Sequence, residues 1–451
     1  MMNRITRRSF MRVSFGSGSL AWAGSFSRFG LLNAVTPATN DYRALVCIFL
    51  FGGNDSNNTI VPMDTARFDE YTNLRKGLAL AATVLKQVQT PDGSVYGFHP
   101  NMAGMQALFQ SLKLVVVANV GTLLQPITRA QYLANQTLAP SNLFSHSDQQ
   151  MQWQTSVSKG VTSTGWGGRL ADEMSGVNPA GGLPTFISVA GNSILGTGNQ
   201  QQSFSISPGA ALGLTGFNTT APSVARMNSL QQLLTLDTGA TLIQEASQIT
   251  TDGLNDDALL SKALAGAPPL TTTFPANNSL ATQLQQVAKL IQVRQQLGMT
   301  RQIFFCSLGG FDTHTAQIND QGNLLLQLSA ALSAFFSATV ELGIDNNVVT
   351  FTESDFSRTF QPNTNGGTDH AWGSHQLVMG SAVRGGQIFG SFPEFALNGP
   401  NDAGNGRWIP QFAVDQYGAT LAKWFGAVPQ QLNNVFPNLS AFAVTDLGIF
   451  V

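Results

Sequence analysis

The chain has 451 residues, only 11% of them charged, and a formal net charge of −2. Charged residues make up about a quarter of an average soluble chain; here Asn, Gln, Ser and Thr supply the polarity instead, a habit of secreted proteins. No basic run exists to track a phosphate backbone or an anionic bilayer, so composition argues against nucleic acid and charged membrane surfaces as partners.

The amino terminus carries the sharpest local signal. In Thr6-Arg7-Arg8-Ser9-Phe10-Met11 two arginines precede a polar residue and a phenylalanine, and a weakly apolar, Gly/Ser-diluted run follows over residues 13–24. A basic start, a short apolar run and small residues beyond it are the layout of a removable signal. The pair Arg7 and Arg8 marks the twin-arginine route, which carries folded cargo. The expectation is a signal peptide over residues 1–39, cleaved between Asn33 and Asn40. The twin-arginine translocation machinery is then a partner, and the destination is periplasmic or secreted. The run is shorter than the ~20 apolar residues of a membrane span, and no later run reads as one, so no integral membrane segment is expected in the mature chain. Residues 40–451 exceed the usual size of a single core, which leaves one large elaborated domain or two.

Three segments of the mature chain share one pattern, an apolar run followed at once by a Gly- or Asp-bearing loop. Residues 44–51 precede Gly52-Gly53-Asn54-Asp55, residues 303–308 precede Gly309-Gly310-Phe311-Asp312, and residues 348–352 precede Glu353-Ser354-Asp355. Continuous apolar strands belong to parallel sheets covered on both faces. Between the first and second of these come a helix over 102–111, a strand over 114–120 and a Gly/Ser/Thr/Asn-rich stretch over about 180–275. That stretch reads as an insertion or cap, with short strands at 185–189 and 203–206 and a helix over 222–236. A helix over 279–297 returns the chain to the core, and apolar residues at helical spacing over 321–342 predict another, stopped by Gly343. The fold class expected is α/β: a doubly wound, mostly parallel sheet flanked by helices. Cys47 and Cys306 each fall inside an apolar strand and read as buried free thiols, a disulfide between neighbouring strands being the alternative.

In such sheets ligands bind beyond the carboxyl ends of the strands, where Asp55, Asp312 and Asp355 fall. The chain has five histidines: His99, His146, His314, His370 and His375. His146 lies two residues before Asp148, His314 two after Asp312, and His370 directly follows Asp369. Imidazole and carboxylate are the usual protein ligands of Zn²⁺, Mn²⁺ and similar ions. Taken together, these pairs favour a metal site over scattered loop hydrogen bonds.

The strings LVCIFLFGGNDSNNTIVP, YGFHPNM, SNLFSHSDQQMQW, TGWGGRLADEM, SLGGFDTH, TESDFSRT, TDHAWGSHQLVMG and GRWIPQFAVDQYGATLAKWFG stand in this order across residues 43–426. The chain thereby resembles domain of unknown function 1501, an exported bacterial family. That family in turn looks like a distant branch of the alkaline phosphatase and sulfatase superfamily, whose members bind divalent metals, commonly zinc or manganese. Carried over, the resemblance implies Asp55, Asp312, His314 and His375 as metal ligands. Asp355 ends the strand that carries an Asp-His pair in the superfamily, but Phe356 occupies the histidine's place. Either Asp369 and His370 rebuild that position or one metal is lost, so one or two ions are expected. Ser145 is the preferred nucleophile, with His146 beside it at a helix amino terminus; Ser147, Ser56 and an activated water remain alternatives. Arg358 is assigned to a substrate anion, or else to a salt bridge with Asp355. The sulfatase Cys-x-Pro-x-Arg motif is absent from the sequence.

The function implied is an exported metal-dependent hydrolase of phosphate or sulfate esters. The alternative is a non-catalytic binding or surface-assembly protein on a degenerate hydrolase scaffold, since a fold does not dictate an activity. An esterase of the Gly-x-Asn-Asp type is disfavoured, because no Gly-Asp-Ser block precedes Gly52.

Overall fold

A computed structural model of the protein describes residues 41–451 except 210–213, 215 and 237–238. Arg7, Arg8 and the expected cleavage region lie outside the described residues. Twelve strands are defined within them. They are β1 (Arg43–Leu50), β2 (Ile60–Pro62), β3 (Lys86–Gln89), β4 (Val95–Phe98), β5 (Leu114–Gly121) and β6 (Phe186–Ser188). These are followed by β7 (Phe204–Ser205), β8 (Arg301–Leu308), β9 (Val348–Ser354), β10 (Ser374–Met379), β11 (Ile388–Phe389) and β12 (Phe412–Ala413).

The apolar runs of β1, β8 and β9 need cover on both faces, and the structure provides it. In β1, Ala44, Val46, Ile48 and Leu50 enter one core, while Leu45, Cys47 and Phe49 enter another on the opposite face. The helices Ala103–Gln110, Ser279–Gln292 and Gln317–Glu341 pack on the first face through Phe109, Leu284, Leu328 and their neighbours. The helices Trp166–Glu173, Val414–Phe425 and Pro429–Val435 cover the second through Leu170, Leu421 and Val435. The main sheet runs β11-β5-β10-β9-β1-β8-β6-β7, with β12 also on β5. Every pairing in it is parallel except those of β10, which is antiparallel to both β5 and β9. This is the doubly wound, mostly parallel α/β architecture expected.

One local reading needs correction, and two others are decided by the structure. Within the stretch 180–275, β6 pairs with β8 and β7 with β6, so these strands extend the main sheet and the stretch is not wholly an inserted cap. Outside the sheet it forms the helices Ala221–Leu234 and Thr241–Ala265. The second of these went unrecognised because it buries only Leu260 and Ala263, too few for an apolar stripe to show. The helix Gln317–Glu341 is long and apolar enough to cross a membrane by length and composition. It is nevertheless a core helix, since Leu325, Leu328, Leu332 and Phe335 are buried against the sheet. A disulfide is ruled out: Cys47 lies opposite Phe305 and Cys306 opposite Ile48 in the register, so the two thiols face opposite sides of the sheet.

Register positions the functional loops. Leu50 pairs with both Leu308 and Ser354, so β8, β1 and β9 end level and side by side. Gly52 then turns at φ +108°, where an added Cβ would lie 2.5 Å from the Asp312 nitrogen. Gly53 follows at φ +81°, with the Phe356 ring where its Cβ would go. Only glycine tolerates both the conformation and the contact. We expect Gly52→Ala to lower the unfolding free energy by about 2–5 kcal/mol, from left-handed strain and overpacking combined. A denaturant titration showing a change below about 0.5 kcal/mol would remove the role given to this turn.

Candidate metal centre

Beyond the level strand ends, three imidazoles and one carboxylate point at a common centre. Asp312, in the loop after β8, places Oδ1 3.0 Å from His314 Nε2, 3.3 Å from His370 Nε2 and 3.4 Å from His146 Nε2. The His314 and His370 Nε2 atoms are 3.0 Å apart. The donor atoms of His146, Asp312 and His370 all lie within 4.8 Å of one another. His146 opens the helix His146–Thr155. His370 comes from a loop held against residues 357–359: Ala371 donates to the Ser357 carbonyl (2.9 Å) and Thr359 to the Asp369 carbonyl (2.9 Å).

The other nitrogen of each ring faces a group that only accepts. His146 Nδ1 donates to Asp355 Oδ2 (2.7 Å), His370 Nδ1 to the Phe144 carbonyl (2.7 Å) and His314 Nδ1 to Asp369 Oδ1 (3.2 Å). Those bonds set the tautomers. Each neutral ring therefore presents a bare Nε2 lone pair to the others and to the Asp312 oxygen. The buried Nε2 of His146 has no hydrogen-bond partner. Lone pairs at such distances repel unless a cation stands among them. Bonds of about 2.0–2.2 Å at tetrahedral angles separate ligand atoms by about 3.3–3.6 Å; Asp312 Oδ1 stands 3.0–3.4 Å from the three Nε2 atoms, and His146, Asp312 and His370 form the group whose donor atoms are all mutually close, with His314 outside it. His146, His370 and Asp312, with each ring backed by a hydrogen-bond acceptor, fit a transition-metal dication, and His314 stands beside Asp312 and His370 at the open side.

Electrostatics agrees with this arrangement. The hydrogen bond to Asp355 raises the His146 imidazole above its ordinary value, against the effect of burial. Burial lowers His370. Burial alone would raise the Asp312 carboxyl, but the hydrogen bond and charge of Arg358 hold it below the usual range. Phe356, fully buried, stacks on His370 (4.8 Å, 26°) and lies 4.9 Å from His146, walling one side of the centre. Asp312 and His314 remain about half exposed, at 46% and 41% of their side chains, and leave the other side open.

The structure thus brings together His146, His314, His370 and Asp312, with Asp355 and Asp369 one bond behind them. Other candidate residues fall elsewhere. Asp55 is fully buried and ion-paired with Arg75; it also accepts from Gln317 and from the Asn57 amide and side chain (3.1 Å each). His375 lies inside β10, accepts from the Asn119 amide at Nδ1 (3.0 Å) and packs on Phe392. Burial pulls its imidazole down to about 3, which marks a core histidine. Arg358 has no exposed side chain, and its donors are taken by Thr368, the Gly52 carbonyl and Asp312, so it orients Asp312 and is not free for a substrate anion. Its ion pair is with Asp312, not Asp355. Ser145 donates to Asp148 Oδ2 (2.6 Å) and caps no backbone amide. Sequence reasoning missed the Phe144 carbonyl, Gln150 (2.8 Å from Asp355), Arg75 and Gln317. Of these only Gln150 left a trace, one helical turn beyond His146.

The fold and this cluster define an α/β protein with a His/Asp centre at the carboxyl edge of its sheet. The chain belongs to the family described as protein of unknown function DUF1501, whose model matches residues 42–407. No curated protein matches it. Among solved structures, it is similar to the PsFucS1 sulfatase from Pseudoalteromonas sp., at 10% identity and a TM-score of 0.35, covering 91% of this chain and 73% of that one. It is also similar to the phosphonate monoester hydrolase of Agrobacterium radiobacter, at 10% identity and TM-score 0.33, over 86% and 74% of the two chains. A third likeness is the zinc complex of the C-terminal periplasmic domain of EcEptC from Escherichia coli, at 11% identity and TM-score 0.30, over 76% and 74%.

The assignment of His375 to the core is open to measurement. Its folded value of about 3 lies below the ordinary 6.5, so the unfolded chain binds the proton first. The contribution of His375 to stability is therefore full above about pH 6.5 and is expected to fall by about 1.4 kcal/mol per pH unit below it, towards about pH 3. We expect His375→Asn, whose Oδ1 can accept from the Asn119 amide, to flatten that acid limb while leaving bound metal unchanged. Loss of metal in this variant would return His375 to the ligand set.

Proposed function

We propose that this chain is an exported, metal-dependent hydrolase of phosphate or sulfate esters. One observation carries the reading: three Nε2 lone pairs and the Asp312 oxygen meet with their protons directed away. His146, His314, His370 and Asp312 are the ligands proposed, and zinc or manganese suits their chemistry. When bound, such an ion polarises an ester oxygen and acidifies water at neutral pH.

The chain's own residues do the rest. Asp355, the Phe144 carbonyl and Asp369 hold the rings in the ligating tautomer, and Arg358 keeps Asp312 ionised. Ser145 stands next to His146 at the helix amino terminus, where backbone amides favour an anionic group. Its hydroxyl already donates to Asp148 Oδ2 at 2.6 Å. Asp148 would take the Ser145 proton as Oγ attacks phosphorus or sulfur and the P–O or S–O ester bond breaks; the alkoxide leaves as the alcohol with a proton from solvent, and water then hydrolyses the serine ester to restore Ser145 and release phosphate or sulfate. Export rests on Arg7 and Arg8 and on membership of a family resembling exported proteins.

We expect His370→Ala and His146→Ala each to lose bound metal and hydrolysis of a phosphodiester and sulfate-ester panel together, with the fold retained. Asp355→Asn should weaken metal binding by about 10–100-fold. Ser145→Ala should keep the metal and reduce turnover by about 100-fold or more; unchanged turnover would give the attack to water. Protein that binds no ion and cleaves no ester would favour the non-catalytic binding reading.

The export half is tested separately. Replacing Arg7 and Arg8 together by Lys should leave the precursor in the cytoplasm, scored by fractionation. Normal periplasmic accumulation of that variant defeats the twin-arginine assignment.

A further inference from the structure

The outer side of β5 is completed by two short strands. Ile388 and Phe389 of β11 pair with Val116 and Val117, and Phe412 and Ala413 of β12 pair with Val120 and Gly121. Between the two pairings Asn119 turns to φ +54°, a region few residues other than glycine adopt, and residues 390–411 leave the sheet as a loop. Because β10 is antiparallel to both β5 and β9, β5 runs in the same direction as β9. The loop therefore rises at the carboxyl edge, where open α/β sheets bind their ligands. Between it and residues 127–130 lies a cleft of about 740 Å³, a size typical of small-ligand sites.

The cleft is preformed. Asp402, wholly buried, accepts the backbone amides of Asn398, Gly404, Gly406 and Arg407 on its carboxylate. Asn119 ties the loop to β5, accepting from the Gln411 amide (2.8 Å) and donating Nδ2 to the Ile409 carbonyl (2.9 Å). Walls fixed in this way lose little freedom when a ligand enters.

Three carboxamides of the lining have their oxygens engaged. Gln411 Oε1 accepts from the Ser391 amide (2.7 Å), Asn401 Oδ1 from the Glu394 amide (3.1 Å) and Asn398 Oδ1 from Arg129 Nη2 (3.3 Å). Backbone amides and guanidinium groups can only donate, which fixes each carboxamide with its oxygen toward the anchor and its NH₂ as the free end. None of the three NH₂ groups has an acceptor among the described residues, nor has Arg129 Nη1, and the Glu394 carboxylate has no donor.

These groups select a chemistry. Arg129 and Glu394 are the charged residues of the lining, one of each sign, so the cleft favours neither anion nor cation. Pro393, Pro400, Ile409 and Pro410 present aliphatic carbon around them. Phe392, the aromatic residue of the lining, is itself packed on His375 (4.2 Å) and Tyr96 (5.3 Å), so a nucleobase finds no free ring face there. A peptide alternates N–H with C=O, whereas the free side chains are four donors to one acceptor. Hydroxyl groups accept from amides and donate to a carboxylate, and the C–H face of a sugar ring covers aliphatic carbon.

We propose that this cleft binds a neutral saccharide chain, independently of the metal centre and of whether that centre cleaves an ester.

The test titrates the full mature chain by calorimetry with cellotetraose, maltotetraose and chitotetraose, and in parallel with tetragalacturonate, tetraalanine and adenosine. At least one of the three neutral tetrasaccharides should bind with Kd below about 1 mM. For that sugar, Glu394→Ala should weaken binding by about tenfold or more and Gln411→Met by about three- to tenfold, as expected for a charged and a neutral hydrogen bond. Both substitutions replace exposed side chains, so thermal melting and bound-ion content should be unchanged. No binding by any neutral tetrasaccharide overturns the inference. So does tighter binding of tetragalacturonate, tetraalanine or adenosine, or unaltered sugar affinity in either folded variant.

Discussion

Parallel strands that end level deliver their loops to one place, and β8, β1 and β9 do so. Their register is held by apolar residues on both faces, because a shift by one position would turn Cys47 and Phe49 out of one core and into the other. With the register set, Gly52 must pass within van der Waals contact of the Asp312 amide while donating its own amide to Asp355. The loop after β1 therefore contributes backbone and space, and the loops after β8 and β9 contribute carboxylates.

A second constraint acts at the level of protons. An imidazole is a good ligand only if its second nitrogen has somewhere to put its hydrogen. Here three acceptors of different origin serve the three rings: a buried aspartate at the end of β9, a backbone carbonyl one residue before the helix cap, and a solvent-facing aspartate beside His370. Each comes from a different part of the chain, so the donor cluster forms only when the whole edge of the sheet is assembled. Arg358 is part of the same device. Wholly buried, it aims Asp312 inward and keeps it ionised.

Burial also separates histidines that look alike in sequence. His370 and His375 are five residues apart. The first sits in a loop bridged to Arg358, with its Nε2 turned to the donor cluster. The second is inside β10, where desolvation keeps it neutral and its Nδ1 accepts a neighbouring amide. The same contrast distinguishes Asp55 from Asp312, both ending a strand–loop motif. Asp55 is taken up by a short helix cap and a buried arginine, whereas Asp312 faces the opening.

Much of this architecture was legible in the amino-acid order. Local hydrophobic runs announced β1, β8 and β9, the Gly- or Asp-bearing loops marked their ends, and the pairing of imidazole with carboxylate pointed to a site beyond them. These signals are local, spread over a few residues, and survive without knowledge of partners. What the tertiary structure alone decided is which side chain meets which. Arg75 reaches Asp55 across 20 residues, but Arg358 meets Asp312 across 46 and His146 meets Asp355 across 209. No periodicity records such distances. Only packing excludes water from Asp55 and His375, opens Asp312 and His314 to solvent, and so sorts an undifferentiated set of acids and imidazoles into a donor cluster, its supports and the core.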